Sequence, residues 1–258
     1  KDDQVLVKIH AASINKADWY MMSGKPFMVR MDPGGLFEPK NKILGGDVTG
    51  KVEAVGKNVK QFQIGDDVFG DISDAGMGAF AEYVSVSETL LAQKPVNLSF
   101  EEAAAVPSAA VTALQGIRDA GEIQSGKKVL INGASGGVGT YAVQIAKSYG
   151  TKVTAVCSTE KIDLARSIGA DHVIDYTQED FTESGQTYDV IFDAVGKTSF
   201  SRCKGSLKQT GIFLEAALTA AILPQMLWTS VIGSQKAMIA FTGLMPASER
   251  TENLITLK

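Results

Sequence analysis

Residues 130–139 read LINGASGGVG, and this stretch decides the fold. An apolar run ends abruptly here, and three glycines occupy the four positions 136–139 shortly after it. The pattern predicts a buried strand over 128–132 and an amphipathic helix over 138–149. Glycine in an ordered element costs conformational entropy, so we expect these glycines to serve a purpose that a side chain would prevent.

The segment from Ala134 to Gly139 fits A-x-G-x-x-G, the dinucleotide fingerprint with alanine at its first position. Gly136 has no Cβ, so its backbone can approach a pyrophosphate, and Gly139 lets the helix pack close to the strand. The first N–H groups of the helix favour an anion. A purely structural glycine turn is the alternative, but the strand before the motif and the helix after it favour a dinucleotide. The predicted contacts are Ala134, Gly136, Gly137, Val138 and Gly139.

The second strand of this region, 152–157, indicates which dinucleotide is bound. An NAD enzyme usually carries Asp or Glu at the tip of that strand, whereas this strand is followed by Ser158. Ser158 can donate a hydrogen bond to a 2′-phosphate and Lys161 can supply positive charge, so NADP is preferred over NAD. Glu160 lies close by, and its alternative role is to complement the dipole in the first turn of the next helix.

The chain divides into two regions of different pattern. Up to about Pro95, short β-like runs alternate with glycine turns, which predicts a partly open antiparallel barrel. After a capping box at Ser99 and Glu102, strands alternate with helices, which predicts an α/β domain with a doubly wound parallel sheet. We therefore expect domains at 1–95 and 96–258. The predicted strands are 4–10, 48–55, 67–69, 80–86, 128–132, 152–157, 172–174, 189–192, 211–215 and 237–241, and the predicted helices are 101–106, 138–149, 160–168 and 200–207.

Composition and charge limit the partners of the chain. The net charge of −4 and the pI near 5.3 give no attraction to nucleic acid or anionic lipid. The longest apolar stretch, 216–223, is too short to span a bilayer. Cys157 and Cys203 are too few for a disulfide framework, and no secretory signal opens the sequence, so we expect a cytoplasmic protein.

Further motifs follow one another along the chain. They are AASINKADWYMMSG (11–24), LGGDVTGKV (44–52), VKQFQIGDDV (59–68), GAFAEYV (78–84), AAAVP (103–107) and GADHVIDY (169–176). In this order, together with the glycine loop, they resemble the medium-chain dehydrogenase/reductases, and within them the zinc-independent quinone oxidoreductase or zeta-crystallin-like branch. The resemblance spans the whole chain, and it implies a GroES-like barrel joined to a Rossmann domain with substrate in the cleft between them.

The resemblance also implies site residues. Tyr20 matches the tyrosine that lines the substrate cleft of the family and Asn15 the polar residue beside it, and either could stabilise an enolate or hydroquinone oxygen. The alternative for Tyr20 is a core aromatic side chain whose hydroxyl is satisfied locally. Thr112 is expected toward the nicotinamide, and Tyr176 with Ser158 and Lys161 toward the 2′-phosphate. Val195, Phe241 and Thr242 follow strands at the sheet edge where ligands bind.

The same resemblance predicts that no metal takes part. Zinc-dependent relatives have a cysteine where this chain has Asn15, and a His-Glu pair at the positions of Gly46 and Asp47. Two histidines and two cysteines, scattered along the sequence, do not supply a three-ligand catalytic zinc site. The remaining chemistry is hydride transfer from NADPH to a quinone or an α,β-unsaturated carbonyl, which its own conjugation activates. Asp18 and Asp47 are expected to be structural, Asp47 through hydrogen bonds in a glycine turn.

Two other functions stay open at this point. One is a catalytically idle NADPH-binding protein, either crystallin-like or an interaction module, and the other is an alcohol dehydrogenase-type oxidoreductase that works without zinc. Relatives suggest a homodimer that pairs through the strand at 237–241. Members of the family begin with a further hairpin and return to the barrel at their end, so the resemblance predicts a chain truncated at both ends.

Overall fold

Two units make up the chain, whose computed structural model describes residues 1–25, 27–31, 42–217, 219, 222–240 and 247–256. One unit combines Lys1–Val111 with Met245–Lys258, and the other is Thr112–Leu244. The range 1–95 that the sequence pattern separates lies within the first unit. That unit also takes in 96–111 and the C-terminal helix, because both pack on its sheet.

The first unit contains a five-stranded antiparallel sheet in the order β4-β1-β2-β3-β5. Alternating valines in β1 place Val5 and Val7 in a core with Val48, Val52 and Val68, as the period of two predicts. The sheet and this valine core confirm the predicted β character of the N-terminal region. The strands are β1 (Gln4–Ala12), β2 (Asp47–Val55), β3 (Asp67–Asp71), β4 (Tyr83–Ser87) and β5 (Ala92–Gln93).

Helices flank this sheet, and the sequence pattern did not predict all of them. Helix α1 begins after Asn15, whose backbone N–H donates to the Asp18 carboxylate at 2.7 Å, and it ends at Gly24, where φ is +62°. The predicted capping box at Ser99 and Glu102 is present and opens α3. The helices are α1 (Lys16–Ser23), α2 (Met28–Met31), α3 (Phe100–Ala104), α4 (Pro107–Leu114), which continues as a π-helix to Ala120, and α9 (Ala247–Thr256).

The second unit contains a six-stranded sheet in the order β11-β10-β9-β6-β7-β8, with every pair parallel. This confirms the doubly wound α/β prediction. The strand order reverses between β6 and β9, where such sheets bind dinucleotides. The strands are β6 (Lys128–Asn132), β7 (Lys152–Cys157), β8 (His172–Asp175), β9 (Tyr188–Asp193), β10 (Leu207–Glu215) and β11 (Lys236–Ile239). The helices are α5 (Gly137–Ser148), α6 (Ile162–Ser167), α7 (Phe200–Cys203) and α8 (Ile222–Val231).

Several boundaries in the second unit differ from the predicted ones. Helix α7 ends at Cys203 and not at Leu207, because a 3₁₀ turn over Lys204–Ser206 follows it and Leu207 already belongs to β10. Strand β10 begins at Leu207 and not at Gly211, because Leu207 is buried opposite Tyr188 of β9. Helix α6 is preceded by a 3₁₀ turn over Thr159–Lys161. Helix α8 was not predicted, and it holds Pro224 in its first turn, where proline is tolerated. Among the described residues, no helix has both the length and the apolarity needed to cross a membrane.

Candidate functional site

The glycine loop joins β6 to α5 at the carboxyl end of the sheet. Gly136 is the N-cap of α5, with φ −82° and ψ 171°, and no side chain caps the helix. A Cβ at Gly136 would meet only the Gly133 carbonyl oxygen, at 3.4 Å, so this side of the loop is open. The first N–H groups of α5 therefore have room for an anion such as a pyrophosphate.

The other motif residues serve the packing of the loop. A Cβ at Gly139 would lie 2.1 Å from the Gly133 carbonyl oxygen, so the helix approaches the loop more closely than any side chain allows. Ala134 is fully buried, and its N–H donates to the Val156 carbonyl at 3.0 Å. The fingerprint thus divides into residues that pack the loop and residues that leave a surface open, namely Gly136, Gly137 and the half-buried Val138.

A cavity of about 700 Å³ lies beside the open face of Gly136. Four of the residues that the sequence predicted line it: Gly136, Ser158, Tyr176 and Val195. They come from the carboxyl ends of β6, β7, β8 and β9, where a dinucleotide is expected in such a sheet. The volume lies within the usual range for cofactor sites, so the residues present fit a nucleotide.

Two cations that the sequence reading missed also line this cavity. Arg202 forms an ion pair with Asp180, whose pKa falls to about 2 through the Thr182 N–H and the Arg202 guanidinium. Lys197 is exposed and has no ion-pair partner within the described part of the chain. Lys161 is exposed at the start of α6 and is not among the residues that line the cavity. The pattern gave no signal for Lys197 or Arg202, because both follow the fourth strand at no fixed spacing from the loop.

An acid does lie beside the tip of β7, although on the neighbouring strand. Asp175 ends β8 opposite Cys157 and accepts hydrogen bonds from the hydroxyls of Thr159 and Thr177, at 2.5 and 2.8 Å. The Thr159 bond, followed by those from Thr177, lowers the pKa of Asp175. Its oxygens are therefore already engaged by protein donors.

The other half of the sheet edge holds two buried polar atoms that lack partners. Gln115 Nε2 follows α4, and Glu215 Oε1 lies at the end of β10; neither atom has a hydrogen-bond partner in the described ranges. Burial raises the pKa of Glu215, and the charge of Asp193 on the next strand adds to the effect. Thr112 is buried on α4, whereas Phe241 and Thr242 lie outside the described residues.

In the first unit, Tyr20 is half-buried on α1. Its ring contacts Trp19 edge-on, with 5.5 Å between the ring centroids, and the Lys16 ammonium lies 5.5 Å from the Tyr20 centroid. The Tyr20 hydroxyl has no hydrogen-bond partner in the part of the chain that the structure describes, and this leaves it available to a ligand. Ile14 and Met22, near it in sequence, are 84% and 69% exposed.

Asn15 precedes the same helix and is held by a buried acid. Its Nδ2 donates to Asp47 Oδ2 and to Ser13 Oγ, both at 3.0 Å. An ionised Asp47 can only accept, so in that state this bond identifies the nitrogen of the Asn15 amide and turns it toward the carboxylate. Asn15 Oδ1 lies toward the N–H of Asp18 in the capping box that opens α1, and it keeps a second lone pair for another donor. This geometry favours Tyr20 over Asn15 as a donor to an oxyanion. Asp47 does not make the local turn bonds that the sequence predicted: it begins β2 and accepts from Ser13, Asn15 and Ser108, which are distant in sequence.

Metal-ligating side chains do not gather in the described ranges: no three His, Cys, Asp or Glu residues are placed to hold an ion. His10 stacks on the Phe100 ring, with 4.3 Å between centroids, and His172 begins β8.

Two family profiles match the chain. Residues 1–96 match the family described as alcohol dehydrogenase GroES-like domain, and residues 137–257 match the one described as zinc-binding dehydrogenase. Among curated proteins, the chain is 34% identical over 268 residues to a chloroplastic quinone-oxidoreductase homolog of Spinacia oleracea, covering 100% of this chain and 79% of that protein. It is 40% identical over 232 residues to the chloroplastic NADPH-dependent alkenal/one oxidoreductase of Arabidopsis thaliana, covering 87% of this chain and 57% of that protein.

A solved structure gives the same result. The quinone oxidoreductase from Coxiella burnetii superposes with a TM-score of 0.86 at 31% identity, covering 100% of this chain and 78% of that one. The chain spans little more than half the length of the curated relatives that match it at 40% identity or above.

Proposed function

Because this chain belongs to the quinone-oxidoreductase group of the medium-chain dehydrogenase/reductase superfamily, we propose that it reduces quinones or α,β-unsaturated carbonyls with NADPH and without zinc. The open face of Gly136 at the end of the 700 Å³ cavity carries this proposal, because it fits a nucleotide. The names of the spinach and Arabidopsis relatives support the two substrate classes.

In this proposal the pyrophosphate lies at the start of α5, on Gly136, Gly137 and Val138. Ser158, Tyr176 and Lys161 bind the 2′-phosphate, and Lys197 adds a second positive charge at the cavity wall. Thr112 holds the nicotinamide, as the family resemblance implies, and Phe241 and Thr242 are cofactor contacts because they follow the sixth strand at its carboxyl end. Ala134 and Gly139 act by shaping the loop, and Val195 by packing on it, since a Cβ at Gly133 would meet the Val195 side chain at 2.2 Å.

NADPH supplies the hydride when it is bound, and the chain binds and polarises the acceptor. As the substrate gains hydride on its conjugated carbon, the electron pair moves through the π-system onto the carbonyl oxygen. The Tyr20 hydroxyl donates a hydrogen bond to that oxygen, and a proton from water completes the hydroquinone or the saturated carbonyl product. The exposed apolar side chains beside Tyr20 cover the hydrocarbon part of the substrate.

The first experiment measures NADPH oxidation by the chain with a quinone, an enal, an enone and a simple ketone. We expect turnover of the quinone or the enone and none of the ketone, because a ketone needs an activating group that conjugation does not supply. NADPH binding without turnover of any acceptor would support the idle binding protein. Turnover of the ketone, or of an alcohol with NADP, would support an alcohol dehydrogenase.

Substitution Lys161→Ala tests the choice of NADP over NAD. We expect the NADPH dissociation constant to rise about tenfold, or ~1.4 kcal/mol, and that of NADH to stay within twofold, because only NADPH carries the 2′-phosphate. Titration of cofactor fluorescence measures both constants. Lys152→Ala is the matched control, since Lys152 is exposed at the opposite end of β7. Equal losses for the two cofactors would make Lys161 a surface charge.

The idle binding protein is the second candidate. The Tyr20 hydroxyl bonds to no described residue and is therefore available to a substrate, which favours an enzyme over an idle protein. For the alcohol dehydrogenase alternative, a base that could take the alcohol proton is lacking near Tyr20 in the described ranges, since Asp18 and Asp47 are buried and hydrogen-bonded.

We propose a homodimer with a small-molecule substrate as the only other partner, and a cytoplasmic location. Strand β11 is an edge strand, and the α8 segment beside it exposes Leu227, Trp228 and Val231 by 73%, 63% and 83%. An apolar surface of this kind at a sheet edge favours pairing with a second copy. Sedimentation velocity would distinguish the dimer from the monomer. The chloroplastic relatives make an organelle the competing location.

A further inference from the structure

Asp47, at the start of β2, is a fully buried carboxylate that joins three segments of the first unit. Ser108, in the first turn of α4, donates its N–H and its hydroxyl to Asp47 Oδ1, at 3.0 and 2.7 Å. Ser13 Oγ donates to Oδ2 at 2.9 Å, and Asn15 Nδ2 donates to the same oxygen at 3.0 Å. Residues far apart in sequence are thus held together by one acid.

The charges that surround Asp47 are unequal. Asp71 lies directly opposite it in β3, and Arg250 of α9 pairs with Asp71 at 3.0 Å and also with Asp74. On the other side, Asp18 of α1 accepts from the N–H groups of Asn15 and Gly45. The positive charge therefore reaches Asp71 and not Asp47.

This environment changes the acidity of Asp47. Burial, and then the negative charge of Asp71, raise the pKa of Asp47 to about 7, against the opposing effect of its hydrogen bonds from Ser108, Asn15 and Ser13. Both protonation states are consequently populated at neutral pH. Only the ionised carboxylate can accept all four hydrogen bonds, because a proton on Oδ2 competes with Asn15 and Ser13 for that oxygen.

We propose that Asp47 is a positioning residue: in its ionised form it holds the Asn15 amide with the nitrogen turned inward, and thereby presents Asn15 Oδ1 to the hydroxyl that forms on the reduced substrate. The substrate in this inference comes from the proposed function. The orientation of the Asn15 amide comes from the hydrogen bonds of Asp47. Protonation of Asp47 releases the amide, which can then turn and lose the acceptor. Asp47 itself touches no reacting atom.

A double-mutant cycle with a pH profile tests the role. The wild-type chain, Asp47→Asn, Asn15→Ala and the double variant are compared in NADPH-dependent quinone reduction between pH 5.5 and 8.5. We expect wild-type kcat/KM to rise through a step near pH 7, and Asp47→Asn to lose that step and about tenfold in rate. Because Asp47 acts through Asn15, the double variant should be no slower than Asn15→Ala alone. Additive losses, or a step that persists in Asp47→Asn, would overturn the proposal.

A second variant keeps the test valid if Asp47→Asn fails to fold. Asp71→Asn removes the like charge but leaves every Asp47 hydrogen bond in place, so it should move the step in the pH profile to lower pH. An unmoved step would contradict the proposed coupling.

Infrared spectroscopy follows the same proton without turnover. A protonated-carboxyl band that titrates near pH 7 is expected in the wild-type chain and not in Asp47→Asn. The melting temperature responds to the same proton. The pKa of Asp47 in the folded chain lies above the unfolded value of about 3.9. The stability of the wild-type chain relative to Asp47→Asn is therefore greatest below pH 4, and this difference is lost as pH rises through 7. If no acceptor were turned over, the proposed function would fail, while these two titrations would still decide whether Asp47 titrates as inferred. If the Asp47 carboxyl stayed ionised from pH 5.5 upward, this result alone would contradict the inference.

Discussion

Replacing Gly136 by valine is expected to weaken NADPH binding ~100-fold, or about 2.7 kcal/mol, while the chain keeps its fold. The backbone at Gly136, with φ −82° and ψ 171°, suits a β-branched residue, and a Cβ there meets only one carbonyl oxygen, at 3.4 Å. The branched side chain would instead occupy the space in which a pyrophosphate approaches the N–H groups of α5. Calorimetric titration with NADPH measures the loss, and circular dichroism checks the fold.

Variants at two other glycines of the second unit distinguish an effect on NADPH binding from an effect on stability. Gly205→Val adds the same side chain at an exposed position with no heavy atom within 4 Å, so binding and stability should both be unchanged. Gly139→Ala should behave in the opposite way, because its Cβ would lie 2.1 Å from the Gly133 carbonyl oxygen. We expect it to lose about 1–3 kcal/mol of stability through overpacking. Normal NADPH affinity in Gly136→Val would refute the placement of the pyrophosphate on this loop.

Replacing Tyr20 by phenylalanine is expected to lower kcat for quinone or enone reduction ~100-fold, as the loss of one donor to a developing oxyanion does in other enzymes. KM should change little, since charge on the carbonyl oxygen is greatest in the transition state. The melting temperature should stay the same, because the hydroxyl bonds to no residue that the structure describes. Steady-state kinetics with the acceptors used above measure the effect.

Tyr83→Phe provides the control for this experiment. Tyr83 is 44% exposed on β4 of the same unit, and its hydroxyl has no proposed role. The variant should keep the wild-type kcat. If Tyr20→Phe behaved like Tyr83→Phe, the Tyr20 hydroxyl would not be the oxyanion donor, and the apolar ring alone would account for its place beside the substrate.

The glycine loop shows what local pattern can predict. The strand before it and the helix after it were expected within one residue of their observed ends, because a buried strand, a glycine turn and an amphipathic helix each leave a signal in consecutive residues. Four of the predicted contacts line one cavity for the same reason: carboxyl ends of parallel strands meet at one edge.

Side chains that depend on pairing between distant segments could not be found in this way. Asp47 faces Asp71 because of the register of β2 against β3, and this pairing of two segments leaves no signal in the residues of either segment alone. Arg202 and Lys197 reach the cavity from the turn and helix after β9, where no spacing rule applies. Helix α1 was missed because its residues lack a strong amphipathic period. Its start depends on the hydrogen bond that the Asn15 N–H donates to the Asp18 carboxylate.

The return of α9 to the first unit has a consequence for the order of events during synthesis. A ribosome releases β2 and β3, with their facing acids Asp47 and Asp71, long before it releases Arg250, which is the counter-ion of Asp71. The second unit is continuous, from Thr112 to Leu244, and can fold as soon as it has emerged. We therefore expect the second unit to fold before α9 can join the unit that is translated first.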